Sequence, residues 1–360
     1  MINLPKFKIN DLEINLIQGG MGVGISGKNL SSAVANCGGA GIIASVGLGV
    51  LKEGYSGNFV EVNQNALHKE IREARKLSDG IIGVNIMYAL TDFEPLVNVA
   101  VEEKIDLIIT GAGFSENLPD LIGDKSISLV PIVSYGRFAG NICETWADHD
   151  YLPDAIIVEG PKAGGHLGFG KKKLEDPKFV ENGLERNIAK TLKETEKFGD
   201  IPVIAAGGIY TGQDIKEAYS WGASGVQMAT RFVTTEECDA NIKFKQTYLN
   251  ATKDDIMIID SPVGMPGRAV RNPFLDEVMA GKEIEFDCRY QCLKQCNPSE
   301  SPYCIAKALV GAQRGDFKEG FAFAGANAHL CTRDSCLDES GSFITVETLM
   351  QRLSDEYRSS

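Results

Sequence analysis

The feature that most constrains this chain is a unit that recurs eight times: a short apolar run, commonly ending in glycine, followed by a helix-like stretch. The runs are INLIQGG (14–20), GIIASVG (41–47), IIGVNIM (81–87), DLIITGAG (106–113), SLVPIVSYG (128–136), DAIIVEG (154–160), PVIAAGG (202–208) and GVQMATR (225–231). They show little apolar–polar alternation, which is how strands buried on both faces of a parallel sheet read. Between them, Leu67, Ile71, Ala74 and Leu77 recur at helical spacing, as do Phe93, Leu96, Val97 and Ala100. Eight such units predict a (β/α)8 TIM barrel. An open doubly wound sheet is the rival architecture. Glycines placed after strands at both the start and the end of the series favour closure.

The barrel is expected within residues 1–256, with 257–360 as a loop-rich, helical extension packed on it, since no flexible linker separates the two. SPVGMPGRAVRNPF (261–274) is rich in glycine and proline and reads as irregular. The chain closes on a predicted helix, VETLMQRLSDEY (346–357). Thirty-six Lys and Arg against 49 Asp and Glu leave a net charge of −13, which argues against a nucleic-acid partner or an anionic membrane surface. The first residues lack the pattern of a signal peptide, and no apolar run has the length of a membrane span. A cytoplasmic protein acting on a small molecule is the expectation.

The chemistry is expected at the barrel's C-terminal rim. The loops after strands seven and eight commonly form a phosphate site in barrels, and here they carry Gly207, Gly208, Thr230 and Arg231. The alternative is a pair of tight turns with Met228 facing the core. EGPKAGGHLGFG (159–170) surrounds His166 with glycines at the end of a strand, which suits presentation of one imidazole as base, acid or hydrogen-bond donor. His68 and His149 sit on or near helices and read as packed or solvated. QGGMGVG (18–24) lacks the G-x-G-x-x-G spacing, so it signals only close backbone approach to something flat or charged. Asn85 is an amide within an apolar strand. It must brace a loop or read a ligand's polar edge.

The chain resembles the flavin-dependent barrel enzymes that include nitronate monooxygenases and the FabK-type enoyl-acyl-carrier-protein reductases. The resemblance lies in IQGGMG with LSSAVANCGGAGIIAS (17–45), GVNIM (83–87), EGPKAGGHLGF (159–169), PVIAAGGI (202–209) and GASGVQMATRF (222–232). It implies an oxidoreductase with FMN at the rim: Gly20 and Met21 near the isoalloxazine, and Asn85 on its polar edge. It further implies flavin contacts from Glu159 and Gly164, and a phosphate held by Gly207, Gly208, Gln227, Met228, Ala229 and Thr230. His166 matches the active-site histidine. The implied activity is oxidation of alkyl nitronates with dioxygen. The alternative is reduction of an enoyl thioester with NAD(P)H as reductant. The chain departs from the family in Pro161–Lys162, where better-known monooxygenases carry a glutamate-containing loop, and in Ala229–Thr230–Arg231 where Gly-Thr-Arg is common. Lys171, Lys172 and Lys173 read as a solvated loop, or as a basic patch for an acidic carrier protein. A homo-oligomer is left open.

Six of nine cysteines crowd the last fifth of the chain: Cys288, Cys292, Cys296, Cys304, Cys331 and Cys336. Cys288, Cys292 and Cys296 are spaced by four, so a helix there would put them on one face. With Cys304 they make four thiolates able to hold zinc or an iron–sulfur cluster. The spacing is not the usual C-x2-C, and free packed thiols are the default expectation.

Overall fold

The computed structural model describes residues 2–51, 57–123, 125–286 and 288–360. Eight parallel strands form the barrel: Ile17–Gln18, Gly41–Ala44, Ile82–Met87, Leu107–Gly111, Ser128–Val133, Ile156–Glu159, Val203–Ala206 and Gly225–Met228. All eight coincide with the apolar runs. The sheet order follows the chain, with the last strand pairing the first (Gln227 opposite Ile17). A bridge between Ile17 and Ala40, with the Gln18 amide donating to the Ala40 carbonyl at 3.0 Å, joins the first strand to the second. The TIM barrel expected from the sequence is what forms.

Strand residues alternate between two apolar compartments, which is why the runs had to be apolar throughout. Ile42, Leu107, Ile109, Val130, Ile157 and Ile204 fill the barrel interior. Val84, Ile86, Ile108, Leu129, Ile156 and Val203 pack outward against the helices. At a rough 25 cal/mol per Å2 of apolar surface, each such side chain contributes about 1.5–3 kcal/mol, so the doubled face is a large share of the stabilisation. The interior cluster also includes Phe7, Ile9 and Ile14 from the hairpin Phe7–Ile9/Leu12–Ile14. This hairpin plugs the N-terminal end. The free end of the cylinder is therefore the C-terminal one.

The extension packs across that end. Its strands Ile256–Asp260 and Pro266–Val270 form an antiparallel hairpin, and the second pairs with the two-residue strand Gly165–His166. This corrects the expectation that 261–274 is irregular. Pro266 sits at the strand's first position, where its missing N–H costs least. Gly267 leaves room for the Phe323 ring, which would lie 2.8 Å from any Cβ there. The final helix, Val346–Ser359, packs between the barrel helices Lys28–Asn36 and Gly212–Ser220. It thus takes the place in the helical ring next to the eighth strand. The Thr345 side chain caps it by accepting from the Thr348 amide at 3.2 Å. The cysteine-bearing segment is not helical: Gln291 has φ 46°, and no helix spans 288–296. Among the described residues, no helix is long and apolar enough to cross a membrane.

Candidate active site

A cavity of about 320 Å3 opens at the C-terminal mouth of the barrel. The strand ends supply its floor, and the extension supplies a wall. Gly20, Met21, Asn85, Glu159, Gly164, His166, Gly207, Gly208, Gln227, Ala229 and Thr230 all line it. Met228 does not. Its side chain is buried between strands and helices, while its carbonyl accepts the Gly19 amide at 2.8 Å and so braces the first loop.

Backbone conformation explains two of the glycine positions. Gly207 and Gly208 have φ of +81° and +115°, a region that strains any other residue, and a Cβ on Gly207 would lie 2.8 Å from the Gly160 carbonyl oxygen. A Cβ on Gly20 would approach the Asn85 Cβ to 2.5 Å. The first and third strand ends therefore close on each other only because glycine is there. Thr230 Oγ1 accepts the Gly325 amide at 3.2 Å, which leaves its own O–H free to donate into the cavity. Gln227 Oε1 is buried without a hydrogen-bond partner.

Arg231 does not serve this site. Its guanidinium is 5% exposed and grips Glu356 of the final helix through two bonds of 2.8 and 2.7 Å. It also donates to the Tyr210 carbonyl at 3.0 Å. The charge expected for a phosphate is spent on docking the C-terminal helix. Position alone could not show this, because its partner lies 125 residues on.

His166 is held on three sides. Its backbone pairs with Gly267 in the small sheet, its ring meets Phe323 edge-on at 5.0 Å between centroids, and its Nε2 lies 2.8 Å from Ser261 Oγ. Burial pulls its pKa down to about 4, so the imidazole is neutral through the physiological range. Burial has the opposite effect on the Glu159 carboxyl, which lines the same cavity, and pushes it up to about 7. Behind the loop that carries both, buried Arg268 donates to the Pro161 carbonyl at 2.8 Å and to the Ala163 carbonyl. Desolvation lowers its pKa to about 10, leaving it charged. The other histidines are structural. His68 pairs with Glu103 at 2.6 Å, His149 with Asp120 at 2.8 Å, and His329 with the Ala326 carbonyl at 3.0 Å.

One arm of the cavity draws on no sequence motif beyond Val23 of the first loop. Val23, Val50, Phe59 and Val310 form an apolar cluster at its side, joined by Leu309 and Cys292. These residues come from three distant segments and read singly as ordinary core. Lys171 pairs with Asp260 at 2.8 Å and Lys173 lies 4.8 Å from the centre of the Tyr135 ring, so the lysine run is partly occupied locally.

Comparison with known proteins bears on the family and the fold. A family model described as nitronate monooxygenase matches residues 4–339. A probable nitronate monooxygenase from Staphylococcus aureus is 28% identical over 299 residues, covering 74% of this chain and 78% of that protein. A (3aS,4S,5R,7aS)-5-hydroxy-7a-methyl-1-oxo-octahydro-1H-indene-4-carboxyl-CoA dehydrogenase from Mycobacterium tuberculosis is 27% identical, with 78% and 69% covered. Its namesake from Rhodococcus jostii is 26% identical, and the match spans 64% of that enzyme's length. Among solved structures, FabK from Thermotoga maritima superposes with a TM-score of 0.74 at 25% identity, covering 98% of this chain and 94% of that one. A nitroalkane oxidase from Streptomyces ansochromogenes shares the fold at a TM-score of 0.71 and 19% identity, with 96% of each chain covered.

Proposed function

The chain belongs to the nitronate monooxygenase family and is a flavin-dependent oxidoreductase; we propose that its cofactor is FMN and its reaction the oxidation of alkyl nitronates with dioxygen. The residues at the barrel mouth fit the cofactor. Gly207 and Gly208 form a cradle that a Cβ would strain or fill, Thr230 has a hydroxyl to give, and the orphaned Gln227 Oε1 lacks a donor. In this reading Gly207, Gly208, Ala229 and Thr230 hold the phosphate. Gly20 and Met21 admit the ring, and Asn85, Gln227, Glu159 and Gly164 meet its polar edges. The flavin, when bound, supplies the electron-transfer chemistry that amino-acid side chains lack.

The observation that carries the reaction is the state of His166. A nitronate is already a stabilised carbanion, so it needs no strong base; it needs its oxygens held. A neutral imidazole, held through Nε2 by Ser261 and packed edge-on against Phe323, is suited to donate from Nδ1 to a nitronate oxygen. The apolar arm takes the alkyl chain and excludes water. Oxygen uptake by the FMN-loaded protein on addition of an alkyl nitronate, with no NAD(P)H present, tests the reading. No uptake across a series of chain lengths rejects it.

The apolar arm also favours a second reading, reduction of an enoyl thioester with NAD(P)H, since Val23, Val50, Phe59, Leu309 and Val310 suit an acyl chain. There His166 would donate to the thioester carbonyl. NADH consumption that depends on an enoyl thioester, without a response to nitronate, selects it.

A further inference from the structure

The proposed function seats a phosphate where three barrel loops meet, and a run of small residues from the extension ties those loops together. The Gly325 amide donates to Thr230 Oγ1 at 3.2 Å, the Ala326 amide to the Lys162 carbonyl at 2.9 Å, and the Asn327 side-chain amide to the Gly208 carbonyl at 2.8 Å. The backbones approach too closely for side chains. A Cβ on Gly164 would lie 2.6 Å from the Gly325 nitrogen, and one on Gly325 would lie 2.7 Å from Thr230 Oγ1 and 3.7 Å from the Gly164 nitrogen. Cβ atoms on Gly207 and Gly208 would meet the side chains of Ala163 and Lys162 at 2.9 and 3.0 Å. Residues 162–164 therefore border the same small volume as Thr230, Gly207 and Gly208.

The dianionic phosphate of that reading calls for a cation. Arg231 is committed to Glu356, and the Lys162 ammonium pairs with Glu181 at 3.1 Å. Arg268 remains. It is 5% exposed, and its Nη1 donates to two main-chain carbonyls of one loop, those of Pro161 and Ala163. Among the described residues no carboxylate pairs with it, and burial alone acts on its proton. A buried charge without an anion is costly, and carbonyl dipoles offset only part of that cost. The peptides that carry these two carbonyls, 161–162 and 163–164, are trans. A trans peptide points its C=O and its N–H in opposite directions. The Lys162 and Gly164 amides therefore point away from the guanidinium. Both residues line the cavity, and neither amide has a hydrogen-bond partner among the described residues. Positive charge at each carbonyl oxygen polarises its peptide and makes the N–H a stronger donor.

We propose that Arg268 is the positioning residue of the phosphate site: from behind the 161–164 loop it turns the Lys162 and Gly164 amides into donors for the cofactor's phosphate, and the bound dianion offsets its buried charge. The Gly164 amide serves the phosphate, leaving the rest of that residue's backbone for the ring. The charge that position 231 spends on the C-terminal helix is thus supplied by the extension, through the strand Pro266–Val270 that also holds His166. The proposal rests on the FMN reading, because only a phosphorylated flavin carries the group that Arg268 addresses.

The test titrates flavin-free parent, Arg268→Gln and Arg268→Lys with FMN and with riboflavin. The preference for FMN over riboflavin should fall about tenfold or more in Arg268→Gln, the scale of a hydrogen bond to a charged group. Riboflavin affinity should stay at the parent level, and Arg268→Lys, which keeps the charge, should restore most of the preference. Equal losses for both flavins mean that Arg268 only holds the loop, and an unchanged preference means that it does not act on the phosphate; either result overturns the proposal. A parent that does not itself prefer FMN rejects the cofactor reading and this proposal with it, whereas a preferring parent with unaltered variants rejects this proposal alone. If neither variant folds, phosphorus NMR of FMN bound to Lys162→Ala decides. With that ammonium removed, the bound phosphate should stay dianionic down to about pH 5, whereas a free phosphate monoester takes up a proton near pH ~6. A bound phosphate that titrates like the free ester contradicts the role of Arg268.

Discussion

Ser261 Oγ lies 2.8 Å from His166 Nε2, across a hairpin junction that brings together residues 95 apart in the chain. No other hydrogen bond engages this hydroxyl among the described residues, so the serine is placed to donate to Nε2 and leave the ring proton on Nδ1. In that tautomer the ring nitrogen that Ser261 does not engage carries the proton. Ser261→Ala is expected to lower kcat/KM on nitronate about tenfold, the scale of one buried hydrogen bond, with Ser261→Thr recovering most of it. Nitrogen-15 NMR of labelled histidine should report the Nδ1–H form in the parent and a mixture of tautomers in the alanine variant.

His166→Ala should cost about 100-fold or more in kcat/KM. Because burial holds the imidazole's pKa down to about 4, the parent's rate on nitronate should show no histidine inflection between pH 5.5 and 8. A bell or step centred near the ordinary value of 6.5, lost on replacing His166, would contradict the neutral-donor role.

Glu159 and His166 should pull stability in opposite directions with pH. The folded Glu159 carboxyl titrates at about 7 against an ordinary value of 4.5, so the folded state keeps a proton that the unfolded chain releases. Its contribution is present below about pH 4.5 and is lost as pH rises through 7. The folded His166 titrates at about 4 against 6.5, so the unfolded chain takes up a proton that the folded state refuses. Stability from this group is lost as pH falls from 6.5 towards 4. Between pH 4.5 and 6.5 the two slopes cancel, each being at most about 1.4 kcal/mol per pH unit. Urea unfolding of the flavin-free protein should therefore give a stability that rises more steeply with pH in Glu159→Gln than in the parent, and falls more steeply in His166→Gln.

Gly207→Ala forces a side chain onto a φ of +81° with a carbonyl oxygen 2.8 Å away. It should cost about 1–3 kcal/mol of strain and weaken flavin binding with it, whereas Gly170→Ala, with open space around its Cβ, should do neither. Flavin titration and thermal melting of both variants check this.

Glu356→Ala leaves the Arg231 guanidinium buried without its anion. A fully buried pair broken this way costs about 3–5 kcal/mol, and the partial exposure of Glu356 reduces the expectation to about 2 kcal/mol. Denaturant unfolding should show that loss, and Gln at 356 should recover part of it through its remaining hydrogen bonds.

The barrel was legible because strands buried on both faces must be apolar throughout, and loops approached closely by another group must carry glycine. Those two physical demands mark the strands, the rim and the neighbourhood of His166. What was illegible depends on long-range pairing. Ser261 is one serine in a Gly- and Pro-rich stretch, and nothing local ties it to an imidazole 95 residues away. Arg231 sits where a phosphate ligand would, and only the fold reveals that Glu356 claims it. The strand Pro266–Val270 was hidden by its own Pro and Gly, tolerated because the proline starts the strand and the glycine faces an aromatic ring. The apolar arm was invisible for a simpler reason: Val23, Phe59 and Val310 carry no signal until they meet.

The most direct test is an equilibrium titration of the flavin-free protein with FMN and, in parallel, with riboflavin, followed by quenching of flavin fluorescence. The account predicts a single FMN bound per chain, with riboflavin at least tenfold weaker because Gly207, Gly208 and Thr230 then have no phosphate to hold. Failure to bind FMN, or equal affinity for the two flavins, would contradict it.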